Sequence, residues 1–235
     1  VSPAVVDPAG TTAPTVAAAP SIASMAARDS EPSRAPLPDL TDDEVAALGD
    51  GAALVRDGVL GPDIARQARA EVLGLWQAGR LHPAAVGRGA DRERRPEVRG
   101  DLTCWLDPAT APPALARVHA LFDALRDTVN HAAWLGLRAF DLQVALYPGR
   151  GARYLRHRDT FRDRPERRLT AIWYANPDWI PADGGVLRAY EPAGTRAIAP
   201  LADRLVIFRS DALEHAVTPS QTQRIALTAW YRATP

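Results

Sequence analysis

The sequence predicts a mainly β domain, a sandwich or barrel of short strands with helices packed outside it. Up to about residue 134 apolar side chains recur at the 3.6-residue period of helices. From residue 138 onward the period changes to 2, with turn residues between the runs. At 235 residues, 46% hydrophobic and 24% charged, the chain is long enough for one domain with a sizeable core. Its 28 basic and 28 acidic side chains cancel, so nothing in the charge balance points to a nucleic-acid or membrane-surface partner.

Residues 1–38 are built from Ala, Pro, Ser, Thr and Val, with seven prolines and no aromatic residue. Such a segment buries too little to offset its ordering entropy and reads as a disordered tail before a domain at 39–235. Thr41-Asp-Asp-Glu44 offers a capping box ahead of Val45 and Leu48, so the first helix starts there. Pro62 and Asp63 open a second, with Ile64, Ala68, Val72, Leu75 and Trp76 at helical spacing and an end near Gly79. A third runs from about 113 to 134, with Leu115, Val118, Phe122, Leu125 and Val129 on one stripe. Helical support thus occupies about 41–134. Within it, residues 87–100 carry five arginines and read as a solvated loop. Closed over a cleft, the same cations would favour a substrate bearing carboxylates.

The β core is expected at about 138–232. Residues 140–147 alternate, Pro148-Gly149-Arg-Gly151 turns, and 169–174 is apolar and aromatic. Gly184-Gly185 precedes a strand over 186–190, and strands over 204–208 and 224–231 follow. The lone cysteine, Cys104, excludes an internal disulfide and a thiolate metal cluster, and fits a reducing, cytoplasmic location. No run approaches the roughly 18 apolar residues of a membrane span, and the first 30 residues lack a basic start with an apolar block, so no secretion signal is read.

The chemistry is carried by three residues. In an extended segment His157 and Asp159, two apart, project from one face. His215 lies in the turn-like stretch Ser210-Asp-Ala-Leu-Glu-His215. Two imidazoles and one carboxylate can hold one triangular face of an octahedron and leave three positions open, the arrangement of non-haem Fe(II) oxygenases. Arg224, nine residues on, opens an alternating strand on which Arg224, Ala226, Thr228 and Trp230 share one face and Ile225, Leu227 and Ala229 the other. The first face presents an arginine, a hydroxyl and an indole to a cavity, and arginine suits a buried carboxylate through its bidentate fork. On 140–147, Gln143, Ala145 and Tyr147 share a face, and the Tyr147 phenol is either a donor to that carboxylate or a packing aromatic.

The ordered series Tyr147-Pro-Gly, Arg153-Tyr-Leu-Arg-His157-Arg-Asp159, Leu169-Thr-Ala-Ile-Trp-Tyr-Ala-Asn176, Gly184-Gly-Val-Leu-Arg188, Asp203-Arg-Leu-Val-Ile-Phe208, His215-Ala-Val and Arg224-Ile-Ala-Leu-Thr-Ala-Trp-Tyr231 resembles the prolyl 4-hydroxylase superfamily of Fe(II)/2-oxoglutarate oxygenases. It is most similar to the oxygen-sensing prolyl hydroxylase-domain enzymes and their bacterial relatives, over about residues 95–232. The resemblance implies a double-stranded β-helix, the jelly roll of cupin-like proteins, with flanking helices. It implies iron on His157, Asp159 and His215, a 2-oxoglutarate pocket lined by Tyr147, Tyr174 and Leu187, and Arg224 as carboxylate anchor. It also matches Trp230 to an aromatic beside the metal, and Arg99-Gly-Asp101 with Trp105 to the segment leading from a mobile substrate loop.

The implied reaction couples decarboxylation of 2-oxoglutarate by dioxygen, giving succinate and carbon dioxide, to hydroxylation of an unactivated C–H bond, with ascorbate as a possible reductant. Asp159 favours hydroxylation over halogenation, because a small residue there would open a site for halide. By resemblance the substrate is a prolyl residue in a protein or peptide. The rival readings are a hydroxylase of a free amino acid or small natural product, a non-catalytic jelly-roll protein that binds metal or 2-oxoglutarate, and a zinc hydrolase.

Overall fold

The computed structural model describes residues 37, 39–85, 93–160 and 166–233. The expected tail, apart from Leu37, and positions 87–92 of the arginine-rich stretch lie outside the described residues. Leu37 is buried against the core, so packing begins before the expected boundary at 39. Three helices stand where the periodicity predicts them: α1 (Asp42–Gly49), α2 (Pro62–Gln77) and α3 (Pro113–Ala133). Thr41 and Glu44 close the capping box on α1. Pro112 and Pro113 leave α3 without a cap of its own, and Glu71 of α2 supplies one, accepting from the backbone of Ala114 and Leu115 at 3.0 and 2.9 Å. At its other end the Asn130 side chain bonds both backbone groups of Leu137.

The strands are β1 (Leu54–Asp57), β2 (His82–Pro83), β3 (Leu102–Trp105), β4 (Ala139–Tyr147), β5 (Ala152–His157), β6 (Arg167–Tyr174), β7 (Leu187–Glu191), β8 (Gly194–Ile198), β9 (Arg204–Arg209), β10 (Glu214–Ser220) and β11 (Arg224–Arg232). They form an antiparallel seven-stranded sheet, β1-β9-β6-β11-β4-β3-β2, and an antiparallel four-stranded sheet, β5-β10-β7-β8. Inward residues of both, among them Ile172, Phe208, Leu187 and Val217, share one apolar cluster. The far face of the large sheet, with Ile225, Leu227 and Ala229, packs on the three helices in a second cluster. This is the double-stranded β-helix with flanking helices. Among the described residues no helix is long and apolar enough to cross a membrane.

The region before 138 is not purely helical, since β1, β2 and β3 join the large sheet. These strands have two to four residues, too few for alternation to register. The turn expected to carry His215 ends sooner: it spans 210–212, and His215 is the second residue of β10. Glu-His-Ala-Val-Thr-Pro-Ser has little strand propensity, and pairing with β5 and β7 on both sides makes it a strand.

Asp203 links the sheet to α2. Buried at the start of β9 in a left-handed conformation (φ 59°), it accepts from the Trp173 indole at 3.0 Å and from the backbone of Leu60 and Gly61 ahead of α2. Asp203→Ala would strand these donors and place Ala where Asp and Asn are better tolerated. Urea unfolding should show a loss of about 2–4 kcal/mol, with a smaller loss for Asp203→Asn; equal stability of Asp203→Ala and parent would refute this role.

Candidate active site

Between the two sheets lies a cavity of about 440 Å³, open mouth included. At one end β10 pairs with β5 so that His215 stands opposite His157, their ring centroids 4.3 Å apart. Asp159 was expected on the same extended face as His157, but β5 stops at His157 and Asp159 sits in the bend beyond it. It nevertheless turns back to the pair: its Oδ1 is 3.5 Å from His157 Nε2 and its Oδ2 3.7 Å from His215 Nε2. One ligand atom from each residue lies within 4.8 Å of the others, a donor set suited to a first-row divalent metal. The His157 Nδ1 donates to the Leu155 carbonyl at 2.7 Å, which leaves Nε2 as the lone-pair nitrogen facing Asp159. Behind the carboxylate, Thr170 Oγ1 donates to Asp159 Oδ2 at 2.9 Å and lies 2.8 Å from Ser210 Oγ.

At the other end Arg224 opens β11 opposite Tyr147 of β4, 2% exposed. Its Nε donates to the Gly185 carbonyl at 2.7 Å, and its guanidinium rests 4.8 and 5.0 Å from the ring centres of Tyr147 and Tyr174. Its Nη1 and the Tyr174 hydroxyl are buried without hydrogen-bond partners among the described residues. An unmet buried charged donor costs several kcal/mol in order of magnitude, so this end fits an anionic ligand, and the planar fork fits a carboxylate. Burial, the dominant influence, pushes the Tyr147 and Tyr174 phenols up and keeps them protonated donors. Gly185 was read only as part of a turn, yet a Cβ there would lie 2.8 Å from Arg224 Cδ, at a φ of +65° that already disfavours other residues.

Tyr147, His157, Asp159, Leu187, His215, Arg224, Thr228 and Trp230 line the cavity; Tyr174 flanks Arg224 rather than appearing in the wall. Sequence reasoning missed Tyr154, stacked on His157 at 3.7 Å, and Ile172 and Val217. It also treated Arg99 as part of a solvated run. Arg99 is instead drawn into the wall, bidentate to Asp101 at 2.7 and 2.8 Å, 2.8 Å from Gln143 Oε1 and over the Tyr154 ring. The Arg-Gly-Asp spacing and the face shared by Gln143 and Tyr147 were the available signals. Trp105, half exposed, meets the cavity-lining Trp230 edge-on, and Arg167 lies over the same indole.

The family model described as the 2OG-Fe(II) oxygenase superfamily matches residues 142–232. A Pseudomonas putida prolyl-4-hydroxylase structure is similar with a TM-score of 0.71 and 36% identity, over 80% of this chain and 96% of that one. The chain belongs to the 2OG-Fe(II) oxygenase superfamily. A Trichoplax adhaerens prolyl hydroxylase, solved with a peptide fragment of the hypoxia inducible factor oxygen degradation domain, is similar with a TM-score of 0.73 and 29% identity, over 80% of this chain and 87% of that one. Homo sapiens Egl nine homolog 1 is 32% identical over 188 residues, 75% of this chain and 43% of the relative. The chain spans between 26% and 54% of the length of the curated relatives it matches.

For a 2OG-Fe(II) oxygenase the protonation of the triad matters. Burial opposes charge on Asp159, but the His215 and His157 imidazoles outweigh it and hold the carboxyl well below its ordinary range. Burial pushes His215 down to about 4, against the pull of Asp159. Near neutral pH the set is therefore a carboxylate and a neutral buried imidazole, the forms that bind metal. A histidine whose folded pKa is depressed binds its proton more readily when unfolded, so metal-free stability should fall as pH drops from about 6.5 to 4, by up to about 3 kcal/mol from this group. Urea midpoints across that window should show a shallower slope for metal-free His215→Gln than for the parent; identical slopes would exclude His215 as the source.

Proposed function

We propose that the protein is an Fe(II)- and 2-oxoglutarate-dependent dioxygenase that hydroxylates a prolyl residue in a protein or peptide, with release of succinate and carbon dioxide. One observation carries the reading: a triad of metal-ligand type and a buried arginine with an unmet donor occupy opposite ends of one cavity. His157, Asp159 and His215 hold the iron, and Arg224 with Tyr147 and Tyr174 holds the far carboxylate of 2-oxoglutarate. Bound together, iron and 2-oxoglutarate supply the oxidising power, drawn from dioxygen, that breaks an unactivated C–H bond.

The chain's own contribution is placement. Arg224 stands on a strand of one sheet and the two triad histidines on strands of the other, so a two-ended ligand is oriented by both. Leu187, Ile172 and Ala226 give the intervening wall an apolar surface, and the Thr228 hydroxyl faces the same space. Trp230 and Trp105 form an aromatic rim where a substrate side chain would enter. The prolyl substrate is supported by the three relatives named above, two of them prolyl hydroxylases and the third an Egl nine homolog. Ascorbate as reductant and a cytoplasmic location belong to the same reading, on family resemblance and the lone cysteine.

Purified protein given Fe(II), 2-oxoglutarate and oxygen should form succinate, and proline-containing peptides should stimulate it and gain one oxygen atom by mass. His215→Ala should abolish turnover. Equal stimulation by peptides with alanine in place of proline would overturn the prolyl assignment. Arg224→Lys exchanges a bidentate fork for a point charge; losing a charged hydrogen bond of about 1.5–3 kcal/mol should raise the 2-oxoglutarate KM about 10- to 150-fold. Gly185→Ala should raise the same KM by crowding Arg224. An unchanged KM in Arg224→Lys would remove that residue from the site.

A further inference from the structure

His157 and His215 are held by paired strands, whereas Asp159 lies in a bend and needs another means of orientation. Two buried hydroxyls that the proposed reaction does not use stand behind it. Thr170 belongs to β6 and is paired with Phe208 of β9 on one side and Trp230 of β11 on the other, within the large sheet. Ser210 follows β9. Both are fully buried. Thr170 Oγ1 is 2.9 Å from Asp159 Oδ2 and 2.8 Å from Ser210 Oγ.

The direction of this chain follows from proton counting. An ionised carboxylate only accepts, so the single Thr170 proton points to Asp159 Oδ2, and Ser210 must donate to Thr170. The terminal torsion of a carboxylate is a broad rotor; a charge-assisted bond to a hydroxyl on a rigid strand confines it. Arg167 also reaches this bend, its Nη1 donating to the Asp159 backbone carbonyl at 3.2 Å.

We infer that Thr170 is a positioning residue for the metal site. Its hydroxyl engages Asp159 Oδ2, so that the carboxylate offers the metal one oxygen rather than two, and Ser210 orients Thr170. A carboxylate confined in this way occupies one position of the octahedron and preserves the three that co-substrate and dioxygen require. The inference rests on the reading of Asp159 as a metal ligand.

Metal binding tests it without turnover. Parent, Thr170→Val, Thr170→Ser and Ser210→Ala are titrated anaerobically with Co(II) alone, following the visible absorption of the bound ion, and each metal-free melting midpoint is recorded. Loss of an outer hydrogen bond to a ligand weakens metal binding about 10- to 100-fold. Thr170→Val is expected to show that loss with an altered Co(II) spectrum, Thr170→Ser to restore parent affinity and spectrum, and Ser210→Ala to fall between. A folded Thr170→Val that binds Co(II) within about twofold of the parent, with the parent spectrum, overturns the inference, whatever its melting midpoint. Should Thr170→Val not fold, Thr170→Ala and Ser210→Ala decide by the same criterion. A parent that takes up no Co(II) removes the ligand reading and this inference together, whereas a parent and a Thr170→Val that bind alike leave the ligand reading standing.

Discussion

The register between β5 and β10 governs what this molecule can do. His215 faces His157 across that ladder because β10 is clamped between β5 and β7, with its pairing to β7 regular from Glu214 to Val217. A slip of one residue would carry His215 to the outer face and bring Glu214 or Ala216 inward. The four-stranded sheet in turn needs an apolar surface to lie on. Leu187, Ala189 and Val217 give it one, against Ile172, Val206 and Phe208 of the large sheet. Burial of that cluster holds two imidazoles and a carboxylate in contact although the carboxylate lies outside any strand.

The interior is polarised from end to end. The triad gathers an anionic carboxylate with a neutral imidazole at His215, and elsewhere on the same cavity the Arg224 cation is buried without a full set of acceptors. Both arrangements oppose stability on their own, since each withdraws charge from water. Such local conflicts mark sites kept for a ligand rather than for packing. The large sheet tolerates them because its other face is secured independently. All three helices pack there, Tyr231 reaches from β11 to the Phe122 carbonyl of α3 at 2.8 Å, and Asp203 ties β9 to the approach to α2.

Arg224 and Asp159 show two ways of holding a charge in such an interior. Arg224 is fixed from its own strand and from Gly185, whose missing side chain makes room for the guanidinium stem. Asp159 is reached from outside its segment, by a threonine of the opposite sheet backed by a serine. Both supports come from a different strand or loop than the group they hold.

Much of this was legible in the residues themselves. The three helices were marked by periodicity, and the strands at β4, β6, β7, β9 and β11 by alternation or by short apolar runs bounded by turn residues. The cavity face of β11, from Arg224 to Trp230, followed from alternation alone, as did the face shared by Gln143 and Tyr147. Alternation could not reveal β10 or β1, one too polar and the other too short, whose strand state comes from neighbours that supply their hydrogen bonds. Nor could spacing show that Arg99 turns inward, that Gly185 must lack a side chain, or that Thr170 meets Asp159. Those are contacts between segments far apart in sequence or on opposite sheets, and a linear pattern records which way a side chain faces but not what it meets. The sequence by itself determined the layers and the chemical types that line them; the tertiary structure decided which of those groups touch, because only the closing of one sheet over the other brings them within hydrogen-bonding distance.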